Sequence, residues 1–112
     1  MTIFALSSGS GIAGIAIIRI SGPLTVSIVK NITGKEIPKP RVATLRKINN
    51  INTSELIDEG IILWFPGPQS YTGEDMAEIH VHGGKSVIQE VINSISSIKD
   101  CRLADPGEFT KL

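Results

Sequence analysis

Thr2 to Leu6 is a short apolar run followed by the turn-forming Ser7 to Gly11, the pattern of a strand and its exit. Ile15-Ala16-Ile17-Ile18-Arg19-Ile20 is rich in β-branched residues and almost continuously apolar, as in a strand covered on both faces. Ser21-Gly22-Pro23 supplies a helix start with proline at the first position. Leu24, Ile28 and Ile32 then recur every fourth residue until Gly34 offers a stop. Lys35 to Pro40 is a linker with two prolines, Val42 to Ile48 predicts a strand on a sheet edge, and the asparagine-rich Asn49 to Ser54 predicts a loop. Ile57 to Phe65 and Met76 to His82 predict two further strands, the second alternating Glu78, His80 and His82 with Ala77, Ile79 and Val81. After Gly83-Gly84, a stripe of Val87, Ile88, Val91, Ile92, Ile95 and Ile98 predicts a helix, and Arg102 to Ala104 a last short strand. The order β-β-α-β-β-β-α-β, without internal repeat, predicts an α+β fold: a mixed β-sheet carrying two to three helices.

Composition narrows the function classes. With 112 residues, 41% hydrophobic and 20% charged, the chain is sized for a single domain with its own core. Eleven basic residues balance eleven acidic ones without a Lys/Arg block, so no surface built to neutralise many phosphates is evident and nucleic acid is not the obvious partner of this segment. The single Cys101 excludes an internal disulfide, and Met1-Thr2-Ile3-Phe4 lacks the flank and apolar run of a signal peptide, which predicts a cytoplasmic protein. The longest apolar stretches, Ile12 to Ile18 and Ile61 to Phe65, fall far short of the roughly 20 residues of a membrane span. Asp105-Pro106-Gly107-Glu108-Phe109-Thr110 reads as a turn leading into a new helix just before the sequence stops, as in a piece of a longer protein.

Several motifs carry candidate chemistry. Gly9-Ser10-Gly11-Ile12-Ala13-Gly14 has the letters of the dinucleotide fingerprint, but that motif needs a helix opening on the pyrophosphate, whereas a strand pattern follows here; a tight turn between strands fits better. Gly84-Lys85-Ser86 resembles the end of a P-loop whose earlier glycine would fall at Ile79, inside a strand, so a strand-to-helix turn is the simpler account. Glu78, His80 and His82 share one strand face and, with Asp75, have the residue types of a metal site; half-exposed sheet faces carry such residues without metal too. The run Trp64-Phe65-Pro66-Gly67-Pro68 and the nearby Tyr71 combine aromatics with a rigid turn, suited to core packing, a flat ligand or a partner. Arg19, inside an apolar strand, must meet an anion or reach water. Its structural partner would be Asp58, Glu59 or Glu78, and a bound anionic ligand is the alternative.

Taken together, Gly11-Ile12-Ala13-Gly14-Ile15-Ala16-Ile17-Ile18-Arg19-Ile20-Ser21-Gly22, Leu63-Trp64-Phe65-Pro66-Gly67-Pro68, Tyr71-Thr72-Gly73-Glu74-Asp75, His82-Gly83-Gly84 and Arg102-Leu103-Ala104-Asp105-Pro106-Gly107-Glu108-Phe109-Thr110 closely resemble the N-terminal domain of the bacterial tRNA modification GTPases, the MnmE/TrmE family. The resemblance covers essentially the whole chain in order. It implies that residues 1–112 form one tetrahydrofolate-binding, homodimer-forming domain with a fold like the folate-binding domain of the glycine-cleavage aminomethyltransferases. It further implies a helical domain and a potassium- and magnesium-dependent GTPase domain, both absent from this chain. In the family, the machine works with the flavin-containing GidA/MnmG protein to place an aminomethyl or carboxymethylaminomethyl group on C5 of the wobble uridine of tRNA. The carbon is attributed to a tetrahydrofolate derivative, 5-formyl- or methylene-tetrahydrofolate. Carried over by motif, the folate contacts are Arg19 and Glu78; Lys111 does not match the further lysine contact, which lies downstream in the family, and Leu112 stands where the family usually continues Arg-Ala-Phe. The resemblance implies no catalytic residue and no metal ligand in this segment. Two other functions stay open on the residues alone: a small metal-dependent hydrolase using Asp75, Glu78, His80 and His82, and a purely structural dimerisation domain.

Overall fold

The computed structural model describes residues 1–7 and 14–111. The strands are β1 (Thr2–Leu6), β2 (Ile15–Ser21), β3 (Thr44–Asn49), β4 (Leu56–Phe65), β5 (Met76–His82) and β6 (Cys101–Leu103). Two α-helices, α1 (Thr25–Thr33) and α2 (Lys85–Ser96), interrupt them in the predicted order, and a short 3-10 helix, Glu108–Lys111, follows. Residues 8–13, which hold most of the glycine-rich fingerprint and of the turn expected after β1, lie outside the described residues.

One sheet takes all six strands in the spatial order β3-β4-β5-β2-β1-β6. Every pairing is antiparallel except β1 with β6, so the α+β fold with a mixed sheet is as the sequence predicts. The period of two along each strand divides the sheet into two unlike faces. Ile18, Ile79 and Ile62 lie side by side on β2, β5 and β4, as do Ile20, Ala77 and Trp64. This face packs on Ile28, Val29 and Ile32 of α1 and Val91 and Ile95 of α2 to form the core.

Among the described residues neither α-helix packs on the opposite face. Across it run the row Leu45, Ile61, His80, Ile17 and, one step along, the row Leu63, Glu78, Arg19, Ala5. The apolar run of β2 therefore does not mean a strand covered on both faces within this chain: Ile15 is 47% exposed and, on the edge strand, Leu45 is 57% exposed.

Two junctions hold the site strands in place. At the β2–α1 turn, Gly22 N–H donates to the Asp75 carbonyl at 2.9 Å, and Leu24 N–H donates to Thr2 Oγ1 at 2.9 Å. A Cβ on Gly22 would stand 2.7 Å from the Thr2 backbone, so only glycine lets β1 and this turn approach so closely. At the other end of α1, Gly34 adopts the left-handed conformation and donates its N–H to the Lys30 carbonyl at 2.8 Å, as the sequence predicts. Gly84 is extended and precedes α2, so Gly84-Lys85-Ser86 forms the strand-to-helix turn. Among the described residues no helix is long and apolar enough to cross a membrane.

Candidate functional site

Sheet register brings Arg19 and Glu78 together from strands 59 positions apart in sequence. Arg19 Nε donates to Glu78 Oε2 at 2.9 Å, and the other carboxylate oxygen, Oε1, lies 2.9 Å from His80 Nε2. A carboxylate only accepts, so that imidazole nitrogen carries the proton. Of the three carboxylates the sequence offers to Arg19, the fold selects Glu78. The Glu78 side chain is 14% exposed and that of Arg19 is 37% exposed, so the pair sits half in water on the open face of the sheet. Burial on its own would raise the Glu78 carboxyl. The hydrogen bonds from His80 and Arg19 and the guanidinium charge together outweigh it and hold the group below its ordinary value, ionised at neutral pH.

Two cavities border this pair, Arg19 lining both and Glu78 the smaller. One, of about 250 Å³, is lined by Arg19, Phe65, Tyr71, Met76 and Glu78. A larger one, of about 550 Å³, has Arg19 in its lining together with Ala5, Leu6, Leu103, Glu108 and Phe109, among others. The first is aromatic with one carboxylate, the second mainly apolar. Arg19 borders both, and the larger alone is of the size that drug-sized ligands occupy.

Each wall is fastened from behind. The loop between β4 and β5 is tied to β2 by a hydrogen bond of 2.8 Å between the buried hydroxyls of Thr72 and Ser21, and Asp75 Oδ1 accepts from Gly67 N–H at 3.0 Å. Arg41 N–H donates to the Trp64 carbonyl at 2.8 Å while its guanidinium donates to the Gln69 carbonyl. On the other side Glu108 receives Arg102 Nη1 at 2.8 Å, Arg102 Nη2 at 2.5 Å and Asp105 N–H at 2.8 Å. This clasp folds the Pro106-Gly107 turn against β6. Sequence reasoning missed it, although an arginine and a glutamate flanking an Asp-Pro-Gly turn were a usable signal.

The four groups of the metal-site expectation do not converge. Glu78 and His80 bond each other, His82 turns to Asp58, and Asp75 caps its own loop. His82 N–H donates to Asp58 Oδ2 at 2.8 Å and its Nδ1 lies 2.9 Å from Oδ1. Among the described residues no group of three or more His, Cys, Asp or Glu is placed to hold a metal ion. The reason is the sheet: alternation puts the three β5 residues in one column, but the neighbouring strands supply each with a different partner.

Comparison with known proteins adds a separate line. Residues 2–112 match the family described as GTP-binding protein TrmE N-terminus. The chain is 70% identical over its whole length to the tRNA modification GTPase MnmE of Pelagibacter ubique, of which it covers 25%. Over 98% of its length it is 47% identical to the human mitochondrial 5-taurinomethyluridine-[tRNA] synthase subunit GTPB3, covering 23% of that protein, and 46% identical to the tRNA modification GTPase MnmE of Zymomonas mobilis, covering 25%. The chain thus spans about a quarter of the length of these curated relatives.

Proposed function

The chain belongs to the family of TrmE N-terminal domains, and from that premise we propose that it is the folate-binding, self-associating domain of a tRNA modification GTPase. The observation that carries the ligand assignment is the Arg19–Glu78 pair in the wall of an aromatic cavity, with Arg19 also bordering a larger, mainly apolar one. A tetrahydrofolate derivative has matching parts. Its pterin edge offers adjacent N–H donors, which an ionised carboxylate accepts in pairs, and its benzoyl-glutamate arm ends in carboxylates suited to a guanidinium. Glu78 keeps unused acceptor sites beyond its bonds to Arg19 and His80. Arg19 spends only Nε on Glu78, and its two Nη groups have no hydrogen-bond partner among the described residues. When bound, the folate would supply a one-carbon unit; the residues here bind and orient it.

The remainder of the proposal concerns the protein that carries this domain. Its relatives' names place tRNA uridine modification and GTP hydrolysis in the complete proteins. We assign GTP, potassium and magnesium to segments outside this chain, the flavoprotein GidA/MnmG as partner, the wobble uridine as substrate, and the cytoplasm as location. Self-association is supported by the open sheet face, where Ile15 and Leu45 are exposed beside half-buried Ile17, Ile61 and Leu63.

Titration calorimetry of the complete protein with 5-formyl-tetrahydrofolate tests the central assignment: saturable binding at one ligand per chain is expected, and none detectable at millimolar ligand refutes it. Sedimentation at high micromolar protein tests the second, with a dimer expected and a monomer alone refuting it.

A further inference from the structure

Tyr71 lines the smaller cavity from the loop between β4 and β5. It is the chain's only tyrosine and it is 67% exposed, yet the loop beneath it is anchored on all sides. Its neighbour Thr72 is buried and bonded to Ser21, Gly73 N–H donates to the Ser70 carbonyl at 3.3 Å, and Ser70 Oγ donates to the Glu74 carbonyl. Exposure of a single aromatic ring is by itself ordinary. A ring held at the surface by a braced loop, beside a cavity that contains a half-buried carboxylate, is instead a preorganised contact.

The other residues lining that cavity each serve the sheet. Met76 is buried at the start of β5, Phe65 closes β4, and Arg19 and Glu78 pair across β2 and β5. Among the described residues that line the cavity, Tyr71 alone comes from the loop, and it lies outside the core.

We propose that Tyr71 is the specificity-determining residue of the site, its ring covering the flat heterocycle whose hydrogen-bonding edge is read by Glu78. This deepens the folate assignment and rests on it. Glu78 selects a donor edge, which many polar molecules present; the aromatic cover selects for planarity, which few of them add. Together they favour a pterin over a sugar or an amino acid of equal polarity.

The test is calorimetric titration of the complete protein with 5-formyl-tetrahydrofolate, in parallel with its thermal midpoint and sedimentation. Tyr71→Ala is expected to weaken binding by roughly tenfold to a hundredfold, the usual range for loss of one stacked aromatic. Tyr71→Phe and Tyr71→Trp should stay within about threefold of the parent, because both keep the ring face. The thermal midpoint should hold within about 2 °C in all three, since an exposed side chain is being changed. An unchanged affinity in Tyr71→Ala, with the parent binding normally, overturns the inference and leaves the folate assignment standing. Equal losses in the Phe and Ala variants overturn it too, because they would place the energy in the hydroxyl. A Tyr71→Ala protein that turns monomeric and loses affinity only in proportion would make the ring a contact between copies, which also overturns it. A parent that does not bind defeats both assignments.

Discussion

Replacing Glu78 separates a ligand-reading carboxylate from a merely structural one. In the folded chain Glu78 makes two charge-assisted bonds, to Arg19 and to His80, each 2.9 Å long. Were the pair fully buried, Glu78→Ala would strand a guanidinium and remove about 3 to 5 kcal/mol of stability. It is not: the Arg19 side chain is 37% exposed and can rehydrate, so the loss should be about 1 to 2 kcal/mol. Ligand binding should suffer more, because pterin donors brought against an alanine would be desolvated without a partner, which costs about 1 to 3 kcal/mol, up to about a hundredfold in affinity. Glu78→Gln keeps the volume and controls for the cavity left by alanine. The acid limb gives an independent check. The folded Glu78 carboxyl lies below its ordinary value of 4.5, so its contribution to stability is full above that pH and is lost as pH falls through the folded value. The stability difference between parent and Glu78→Gln should accordingly be constant near neutrality and shrink below about pH 4.5. Calorimetric melting and ligand titration on the same samples read both numbers. A fall of more than about 4 kcal/mol in stability with unchanged folate affinity would refute the assignment and make Glu78 structural.

Four further outcomes follow from the same geometry. Asp58→Asn should leave folate affinity unchanged in titration, since Asp58 bonds His82 and lines neither cavity of the site. It should also lose the stabilisation that Asp58, held below 3.8 by its bonds from His82 against the opposing effect of burial, provides at higher pH. Gly60→Ala should lower the urea midpoint by the equivalent of roughly 3 kcal/mol with an unchanged slope, because a Cβ there would lie 2.1 Å from the His80 carbonyl oxygen in the adjacent strand. Arg102→Ala, which removes the two guanidinium bonds to Glu108 and loosens the wall of the larger cavity, should weaken folate binding by about tenfold in the same titration, with the sheet's circular dichroism unchanged. The 112-residue chain alone should turn over no GTP in a phosphate-release assay, since the first glycine that a P-loop ending in Gly84-Lys85-Ser86 needs would fall at Ile79, inside β5.

The sequence displays its local structure openly and its neighbours hardly at all. The helices and the longer strands follow from periodicity: Leu24, Ile28 and Ile32 mark α1, though it starts at Thr25 and not at Pro23, and Met76 to His82 is read to the residue as β5. Periodicity cannot say which strand lies beside which, and the site depends on that. Arg19 had three carboxylates to choose from, and the order β3-β4-β5-β2 decides among them by setting Glu78 directly opposite on the adjacent strand. The same register turns Asp58 toward His82, dismantling the metal arrangement that three polar residues on one strand suggest. The motif resemblance picked out Arg19 and Glu78 because the first stands inside one short, specific string and the second between two others, Tyr71-Thr72-Gly73-Glu74-Asp75 and His82-Gly83-Gly84. It was silent on Tyr71 and on the Arg102–Glu108 clasp as working parts, since a braced exposed ring and a wall-forming ion pair exist only in three dimensions.

The over-reading of β2 is instructive in a different way. Its residues are apolar on both sides, and only one side is packed by this chain's helices; Ile15 and Ile17 lie on the other, in line with His80 and His82. Burying one such side chain is worth about 1.5 to 3 kcal/mol, a gain that the isolated domain forgoes and an assembled one recovers. An amino-acid sequence is fitted to the burial of the assembled protein, whereas one chain displays only its own. Under the proposed self-association the apolar pattern of β2 is correct for the dimer, and Ile15→Lys should then move the sedimentation equilibrium toward monomer while leaving the thermal midpoint of the monomer nearly unchanged. A dimer of undiminished affinity in that variant would show that the copies meet elsewhere and that Ile15 is simply an exposed isoleucine.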